Sequence, residues 1–166
     1  MENFIKLMAA FGIGFVIVLL AMPKVIPFLH KMKFGQVERE EGLESHKKKG
    51  GTPTMGGVVF VLAAVIAAFV VNYKNIANPN LILITIVLVG YSLIGFVDDA
   101  LIILKHQNEG LKAWQKFLMQ AILAVGCYLY LENFVPGFTT EVTIPIVKVN
   151  IDFGWFYAVL VFIMFT

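Results

Sequence analysis

Five apolar runs, separated by short polar segments, constrain this chain more than any other feature of its sequence. The runs cover residues 8–29, 53–71, 81–97, 113–131 and 153–166. A bilayer core of about 30 Å needs roughly 20 helical residues and tolerates about 17, so the first four runs are long enough to cross a membrane. The runs lack the alternating pattern of strands, and an open sheet cannot satisfy its edges in lipid, so we predict helices.

The composition supports a membrane protein, because 59% of the 166 residues are hydrophobic and only 14% are charged. So few charged side chains cannot cover the surface of a water-soluble domain of this size. We therefore predict an all-α fold, a polytopic transmembrane bundle of about five helices that forms a single integral membrane domain over residues 1–166. The fifth run reaches Thr166 without a polar flank, so we expect this domain to be truncated at its C-terminal end.

The net charge and the single cysteine exclude several other classes. A formal charge of +2 is too balanced to indicate a nucleic-acid partner. One cysteine cannot form an intrachain disulfide or a thiolate metal cluster, and Cys127 lies inside an apolar run. We therefore interpret Cys127 as an inert buried thiol.

The placement of the basic residues predicts how the chain is oriented in the membrane. Nine of the 13 lie after the first and third helices, at Lys31, Lys33, Arg39, Lys47, Lys48, Lys49, Lys105, Lys112 and Lys116. Basic residues accumulate in cytoplasmic loops, so these segments are expected to face the cytoplasm and the N-terminus the outside. Pro23 and Pro27 are expected to bend or end the first helix. Residues 134–150 are expected to form a short hairpin on the outer surface.

The segment before the second helix combines features of an anion site. Thr52 is a good N-cap and Pro53 suits the first helical position, while Gly56 and Gly57 let a backbone or a ligand approach the first turn. Free amide donors, the positive end of the helix dipole and Lys47–Lys49 would together favour a phosphate. The alternative is that these lysines only anchor the helix on the cytoplasmic side. The residues alone leave both interpretations open.

Two consecutive acids, Asp98 and Asp99, follow the third apolar run, and we expect them to close the third helix. At the C-terminal, negative end of a helix a carboxylate is destabilised by roughly 0.3–1 kcal/mol, so a positive partner is expected. Mg²⁺ fits, because it needs only one or two carboxylates and completes its shell with water and substrate phosphates. An ion pair with Lys105, Lys112 or Lys116 is the alternative, and the residues do not decide between the two.

Three motifs together resemble one family of membrane enzymes. They are Glu-Ser-His-Lys-Lys-Lys-Gly-Gly-Thr-Pro-Thr-Met-Gly-Gly at 44–57, Gly-Phe-Val-Asp-Asp at 95–99 and Asn-Glu-Gly-Leu at 108–111. They resemble the phospho-N-acetylmuramoyl-pentapeptide transferases, which belong to the polyprenyl-phosphate N-acetylhexosamine-1-phosphate transferases. The resemblance implies the N-terminal part of a roughly ten-helix protein in the bacterial inner membrane. It also implies an active site on the cytoplasmic face.

The reaction implied by the resemblance is transfer of phospho-N-acetylmuramoyl-pentapeptide from UDP to undecaprenyl phosphate, with Mg²⁺ as cofactor and release of UMP. Its product is the first lipid-linked precursor of peptidoglycan in cell-wall biogenesis. The resemblance also implies that Asp98 and Asp99 form the catalytic and metal-binding motif, with Asp98 deprotonating the lipid phosphate. It assigns substrate phosphate binding to Lys49 and Thr54, and we expect His46, Gly56 and Gly57 to belong to the same substrate-binding site.

Some features of the family pattern are missing from this sequence. Ile102 stands where many members carry a basic residue, and the main Mg²⁺ ligand is expected beyond Thr166. A sister transferase that loads another UDP-N-acetylhexosamine onto polyprenyl phosphate is one alternative function. A transporter or channel subunit is another, although the charged residues lie at the ends of the runs rather than near the bilayer midplane. The sequence leaves the oligomeric state open, and a homodimer is one expectation.

Overall fold

The computed structural model describes residues 2–31, 55–105, 110–144 and 149–165. These residues form five α-helices and one antiparallel pair of strands, which confirms the predicted all-α fold with its small hairpin. In chain order the elements are α1 (Glu2–Lys31), α2 (Gly57–Val71), α3 (Pro79–Lys105), α4 (Ala113–Phe134), β1 (Glu141–Ile144), β2 (Val149–Asp152) and α5 (Tyr157–Phe165). Short 3₁₀ helices cover Tyr73–Asn75 and Gly154–Phe156.

Three helices of the described residues, α1, α3 and α4, are long and apolar enough to cross a membrane. Their large side chains are widely exposed, as Phe11 is at 70%, and lipid is the environment in which such exposure is stable. Helix α2 has 15 residues and a length of about 22 Å, which is less than a bilayer core. Four apolar runs are expected from the sequence to cross the membrane. The helix formed by the second of them, α2, is too short to do so.

The start of α2 explains this difference from the expectation. The apolar run begins at Pro53, but the helix begins at Gly57, and the Met55 backbone has a left-handed φ of 70°. A right-handed helix cannot pass through a residue in that conformation. The prediction of a helix running from Pro53 through Met55 is therefore wrong. The predicted cap, Thr52, and Pro53 itself lie outside the described residues.

Helix α1 continues through both of its prolines. Pro23 and Pro27 lie inside the helix, which ends at Lys31, so of the two expectations the one that a proline ends the helix is wrong, and a bend at the prolines stays a prediction. A proline removes one backbone donor from the helix, but transmembrane helices tolerate this loss when neighbouring groups satisfy the carbonyl left behind.

The chain divides into two compact units, and α3 contributes to both. The first unit contains residues 1–76 and 91–112, and in it α1 packs on α2. Small side chains form this contact: Ala63 and Ala67 of α2 are 2% and 3% exposed, and an added Cβ at Gly14 would lie 3.9 Å from the Ala67 Cβ. Small residues let transmembrane helices approach closely, so packing and not side-chain polarity joins these two helices.

The second unit contains residues 77–90 and 113–166. Helices α4 and α5 pack together in it, with an edge-to-face contact of 5.1 Å between the ring centres of Phe117 and Phe162. Ala124 and Cys127 of α4 are buried, which agrees with the interpretation of Cys127 as a buried thiol. An added Cβ at Gly90 would lie 2.7 Å from the Leu123 methyl groups, so the glycine allows α3 and α4 to approach here.

The predicted hairpin forms in this second unit. Strands β1 and β2 pair antiparallel, with Glu141 opposite Asp152 and Ile144 opposite Val149. A side-chain hydrogen bond of 2.9 Å from the Thr143 hydroxyl to the Asn150 amide oxygen joins the strands. The segment before β1 is held by aromatic contacts, because Phe138 meets Tyr128 of α4 and Tyr157 of α5 edge to face.

Candidate functional site

The paired acids lie inside α3 and not at its end. The helix continues to Lys105, two turns beyond Asp98, so the expectation that Asp98 and Asp99 close the helix is wrong. Residues 100–104 are alanine, leucine and isoleucine, and these apolar side chains extend the helix after the charged pair. The helix dipole acts mainly within the last turn, so a different interaction must stabilise these carboxylates.

Asp98 is half-buried, and its carboxylate receives a hydrogen bond from the segment that follows α3. The Leu111 backbone N–H donates to the Asp98 Oδ1 over 2.7 Å, across 13 positions of the sequence. A hydrogen bond from an amide to an ionised carboxylate is shorter and stronger than a neutral one. This contact therefore fixes the residues after the loop against the middle of the helix.

Gly110 makes that approach sterically feasible. A Cβ added there would lie 2.7 Å from the Asp98 backbone oxygen and 2.8 Å from the Asp98 Cγ, distances that real Cβ atoms essentially never show. One of the two obstacles is backbone, which cannot rotate away as a side chain can. The position therefore needs a residue without a side chain. Asp99 is also half-buried, and its position points about 100° away from Asp98 around the helix axis.

The other predicted site residues are described only in part. His46, Lys49 and Thr54 lie outside the described residues. Gly56 is the N-cap residue of α2 and Gly57 is its first residue, and both belong to the same compact unit as Asp98 and Asp99.

The two glycines at the start of α2 have room around them. An added Cβ at Gly56 would meet the Met22 Cε at 3.7 Å, and one at Gly57 would meet nothing within 4 Å. No neighbour in the described chain therefore requires glycine at either position. Close approach of a ligand to this turn stays a prediction.

The left-handed backbone at Met55 is a feature that sequence reasoning missed. Such a φ costs a non-glycine residue about 1–2 kcal/mol, and conformations of this kind persist where the surrounding structure holds them. The Val58 N–H donates to the Met55 carbonyl over 3.3 Å and closes the turn that leads into α2. The sequence offers only a weak signal for this conformation, because methionine stands at a position where glycine would adopt a left-handed backbone at lower cost.

Asp98 and Asp99 fit a magnesium ion in chemical type. In the described residues no three His, Cys, Asp or Glu side chains come close enough to form a metal site by themselves. Mg²⁺ does not need such a cluster, because one or two carboxylates, water and substrate phosphates fill its octahedral shell. The two carboxylates in α3 are therefore of the chemical type that Mg²⁺ takes from a protein, and a magnesium site here stays a prediction.

A second carboxylate with backbone donors lies in the hairpin. The Asp152 Oδ1 accepts hydrogen bonds from the Thr140 hydroxyl and, over 2.9 Å, from the Gly154 backbone N–H. These two hydrogen bonds hold the pKa of the Asp152 carboxyl below its usual range, although the side chain is exposed. The bond from Thr140 has the larger effect and the bond from Gly154 the smaller. Asp152 also lines a cleft of about 370 Å³ with Glu132, Glu141 and the ring of Tyr128.

Comparison with known proteins supplies the family. The family model described as Phospho-N-acetylmuramoyl-pentapeptide-transferase signature 1 matches residues 49–61, the segment that contains Met55 and leads into α2.

Three curated relatives carry the name phospho-N-acetylmuramoyl-pentapeptide-transferase. The relative from Halalkalibacterium halodurans is 43% identical over 92% of this chain and 46% of its own length. The relative from Bacillus subtilis (strain 168) is 41% identical over 91% of this chain and 46% of its own length. A third, from Staphylococcus epidermidis, is 43% identical over 92% of this chain and 47% of its own length.

The chain thus spans about half the length of the curated relatives it matches. The signature precedes α2 and the paired acids follow in α3, in the order that the sequence motifs predicted. The resemblance seen in those motifs is confirmed, and in sequence the chain is similar to the N-terminal half of the curated phospho-N-acetylmuramoyl-pentapeptide transferases.

Proposed function

We propose that this chain takes part in transferring phospho-N-acetylmuramoyl-pentapeptide from UDP to undecaprenyl phosphate. The observation that carries the proposal is the half-buried Asp98 carboxylate, oriented by the Leu111 N–H, in the same compact unit as residues 55–61 of the signature. A half-buried carboxylate held by a hydrogen bond is suited to accept a proton at a fixed position.

The proposed reaction exchanges one phosphorus–oxygen bond for another. Asp98 accepts the proton of the lipid phosphate, and the resulting oxygen attacks the phosphorus atom that carries the sugar. The bond from that phosphorus to the oxygen bridging to the uridine nucleotide breaks, and UMP leaves with the bond electrons. The proton on Asp98 then returns to solvent, so the carboxylate is ready for another cycle.

The remaining residues of the proposed site bind phosphate. Lys49 and Thr54 would hold phosphate oxygens, with His46 beside them and the start of α2 at Gly56 and Gly57 offering backbone N–H groups. Asp98 and Asp99 would hold Mg²⁺, which when bound neutralises charge on the phosphate groups. Substitution of each aspartate separately is needed to assign proton transfer and metal binding between them.

The location of the site follows from the basic residues. We infer that it lies on the cytoplasmic face of a bacterial inner membrane, where the UDP-linked substrate is available, because basic residues accumulate in cytoplasmic segments. Single cysteines at Lys112 and Thr143, in a Cys127→Ala background, test this in intact cells. A membrane-impermeant maleimide should label the Thr143 position and leave the Lys112 position unlabelled. The reverse pattern would contradict the orientation.

Formation of a homodimer stays a prediction, which native mass spectrometry can check.

The activity test uses two forms of the protein. Membranes would contain either this chain alone or this chain fused to the part of the Bacillus subtilis relative that lies beyond the matched region. Transfer of labelled UDP-N-acetylmuramoyl-pentapeptide to undecaprenyl phosphate, and release of UMP, would be measured with Mg²⁺ and with a chelator. The added part of the relative, expressed alone, is the control for activity that it brings by itself.

Metal-dependent transfer by either form, lost in Asp98→Asn, would support the proposal. A fusion that is folded and membrane-inserted but inactive would contradict it. A sister transferase is separated in the same assay, because it would use UDP-N-acetylglucosamine and leave the muramoyl substrate unchanged. A transporter or channel subunit would release no UMP in either form.

A further inference from the structure

We infer that Gly110 and the Leu111 backbone N–H position the Asp98 carboxylate for its reaction, so that the segment after α3 acts as part of the active site. This inference rests on the proposed function. It adds two positioning residues to the site, neither of which binds substrate itself. Their role follows from the close contact between residues 110–111 and the middle of α3.

The first step of the argument is the torsional freedom of an aspartate. The last side-chain torsion of aspartate is broad, so the rotamer alone does not fix the direction of the two carboxylate oxygens. A hydrogen bond from a backbone N–H, 2.7 Å from Oδ1, removes that freedom. A proton acceptor works only within hydrogen-bond reach of the proton, so a fixed carboxylate has a smaller reorganisation to make.

The second step is that the donor is a backbone group brought from a distance. Leu111 lies 13 positions after Asp98, and a donor this far along the sequence is placed by the path of the chain. This path brings Gly110 very close to the Asp98 backbone. A Cβ added at Gly110 would lie only 2.7 Å from the Asp98 backbone oxygen. A side chain at Gly110 would push the Leu111 N–H away from the carboxylate.

Two substitutions remove the contact by different means. Gly110→Ala adds the Cβ that collides with Asp98, and Leu111→Pro removes the donor N–H. We expect each to lower kcat by about 10- to 100-fold, with KM for the UDP substrate changed less than about twofold. Gly126→Ala is the matched control, because an added Cβ at this helical glycine of α4 meets nothing within 4 Å. Its kcat should equal that of the parent.

Hydrogen exchange gives a readout that does not depend on activity. In the unaltered chain the Leu111 amide should exchange slowly, and Asp98→Ala should accelerate its exchange at least tenfold, because the acceptor is gone. The exchange of amides in α1 should stay the same in both proteins, which excludes global unfolding as the cause. The fraction of folded protein, measured by size exclusion in detergent, normalises kcat for Gly110→Ala and Leu111→Pro.

The outcomes separate this inference from the proposed function. Faster Leu111 exchange together with a loss confined to kcat would support positioning of Asp98. Faster exchange with unchanged kcat would overturn it, because the contact would then serve only the fold. Unchanged exchange would overturn it as well, because the contact would be absent in solution. If neither form transfers substrate, the proposed function fails, while the exchange experiment still tests the contact itself.

Discussion

The Asp98 region and the hairpin each hold a carboxylate by a backbone N–H, but they do so in different ways. The backbone donor to Asp152 is Gly154, two positions away, and the Thr140 hydroxyl adds a side-chain bond, whereas the backbone donor to Asp98 is Leu111, 13 positions away. Asp152 is exposed and Asp98 is half-buried. The backbone contact of Asp152 with Gly154 is therefore a product of local turn chemistry, while the Asp98 contact exists only because the chain returns to the helix.

The same two regions differ in how they carry left-handed backbone. Near the hairpin the residues with positive φ are Gly137, at 76°, and Gly154, at 48°, for which this conformation has no steric cost. At the start of α2 it is Met55, at 70°. Strained conformations of non-glycine residues gather at functional sites. The signature segment thus retains a strain that the hairpin avoids, in agreement with the site proposed there.

Substitution of each carboxylate gives the largest expected difference between the regions. Asp98→Asn should lower transfer by about 10²- to 10⁴-fold, because an amide cannot accept the proton. Asp152→Asn should leave transfer within about twofold of the parent, since its contacts are confined to the hairpin segment. Initial rates of UMP release by the active form would measure both. Comparable losses in the two variants would show that the hairpin belongs to the catalytic machinery.

A smaller effect is expected when a side chain is added at Gly137. Gly137→Ala forces a Cβ into a left-handed conformation and should lower the free energy of unfolding by about 1 kcal/mol. Gly126→Ala is again the control, and in a helix it should raise stability, because alanine is the better helix former. Unfolding in mixed detergent and SDS would report both changes. A Gly137→Ala variant as stable as Gly126→Ala would mean that the turn readjusts without strain.

The opposite change at Met55 should have the opposite sign. Met55→Gly relieves about 1–2 kcal/mol of left-handed strain, and the flexibility of glycine returns about 0.5–1 kcal/mol of that gain. The net expectation is a stabilisation on the order of 0.5 kcal/mol in the same SDS assay. A clear loss of stability would instead show that the Met55 side chain, which is half-buried, contributes packing that exceeds the strain.

The two regions also differ in which of their features can be predicted from the sequence. Hydropathy located all five helices, because burial in lipid depends on composition along the chain, and the strand and turn residues of 134–150 predicted the hairpin. The hydropathy pattern ended the third helix at Val97, because charged residues indicate the membrane boundary. The helix itself continues past that boundary to Lys105. The hydropathy pattern also missed the Leu111 contact with Asp98, which joins distant positions and leaves no local pattern. Motif resemblance located the paired acids but not what orients them.

The smallest expected effect is the response of the hairpin to acid. Hydrogen bonds from Thr140 and Gly154 hold the pKa of Asp152 below its usual value of about 3.9. The ionised form is thus favoured by folding, and its stabilisation is fully present above the unfolded pKa. It is lost as the pH falls through the lower pKa of the folded hairpin. The protection of the β1 and β2 amides, measured relative to the intrinsic exchange rate at each pH, should therefore fall on acidification below about pH 4.

Two variants isolate the groups responsible for that response. Thr140→Val removes the side-chain donor that lowers the Asp152 pKa most, so the acid-induced loss of protection should be smaller than in the parent and should end at a higher pH. Asp152→Asn cannot titrate, so its strand amides should lose this dependence altogether. The Leu111 amide, which is bonded to Asp98, serves as an internal reference outside the hairpin in the same exchange experiment. If acid lowered the protection of the β1 and β2 amides equally in Asp152→Asn and in the parent, the hydrogen bonds to Asp152 would not be what stabilises the hairpin.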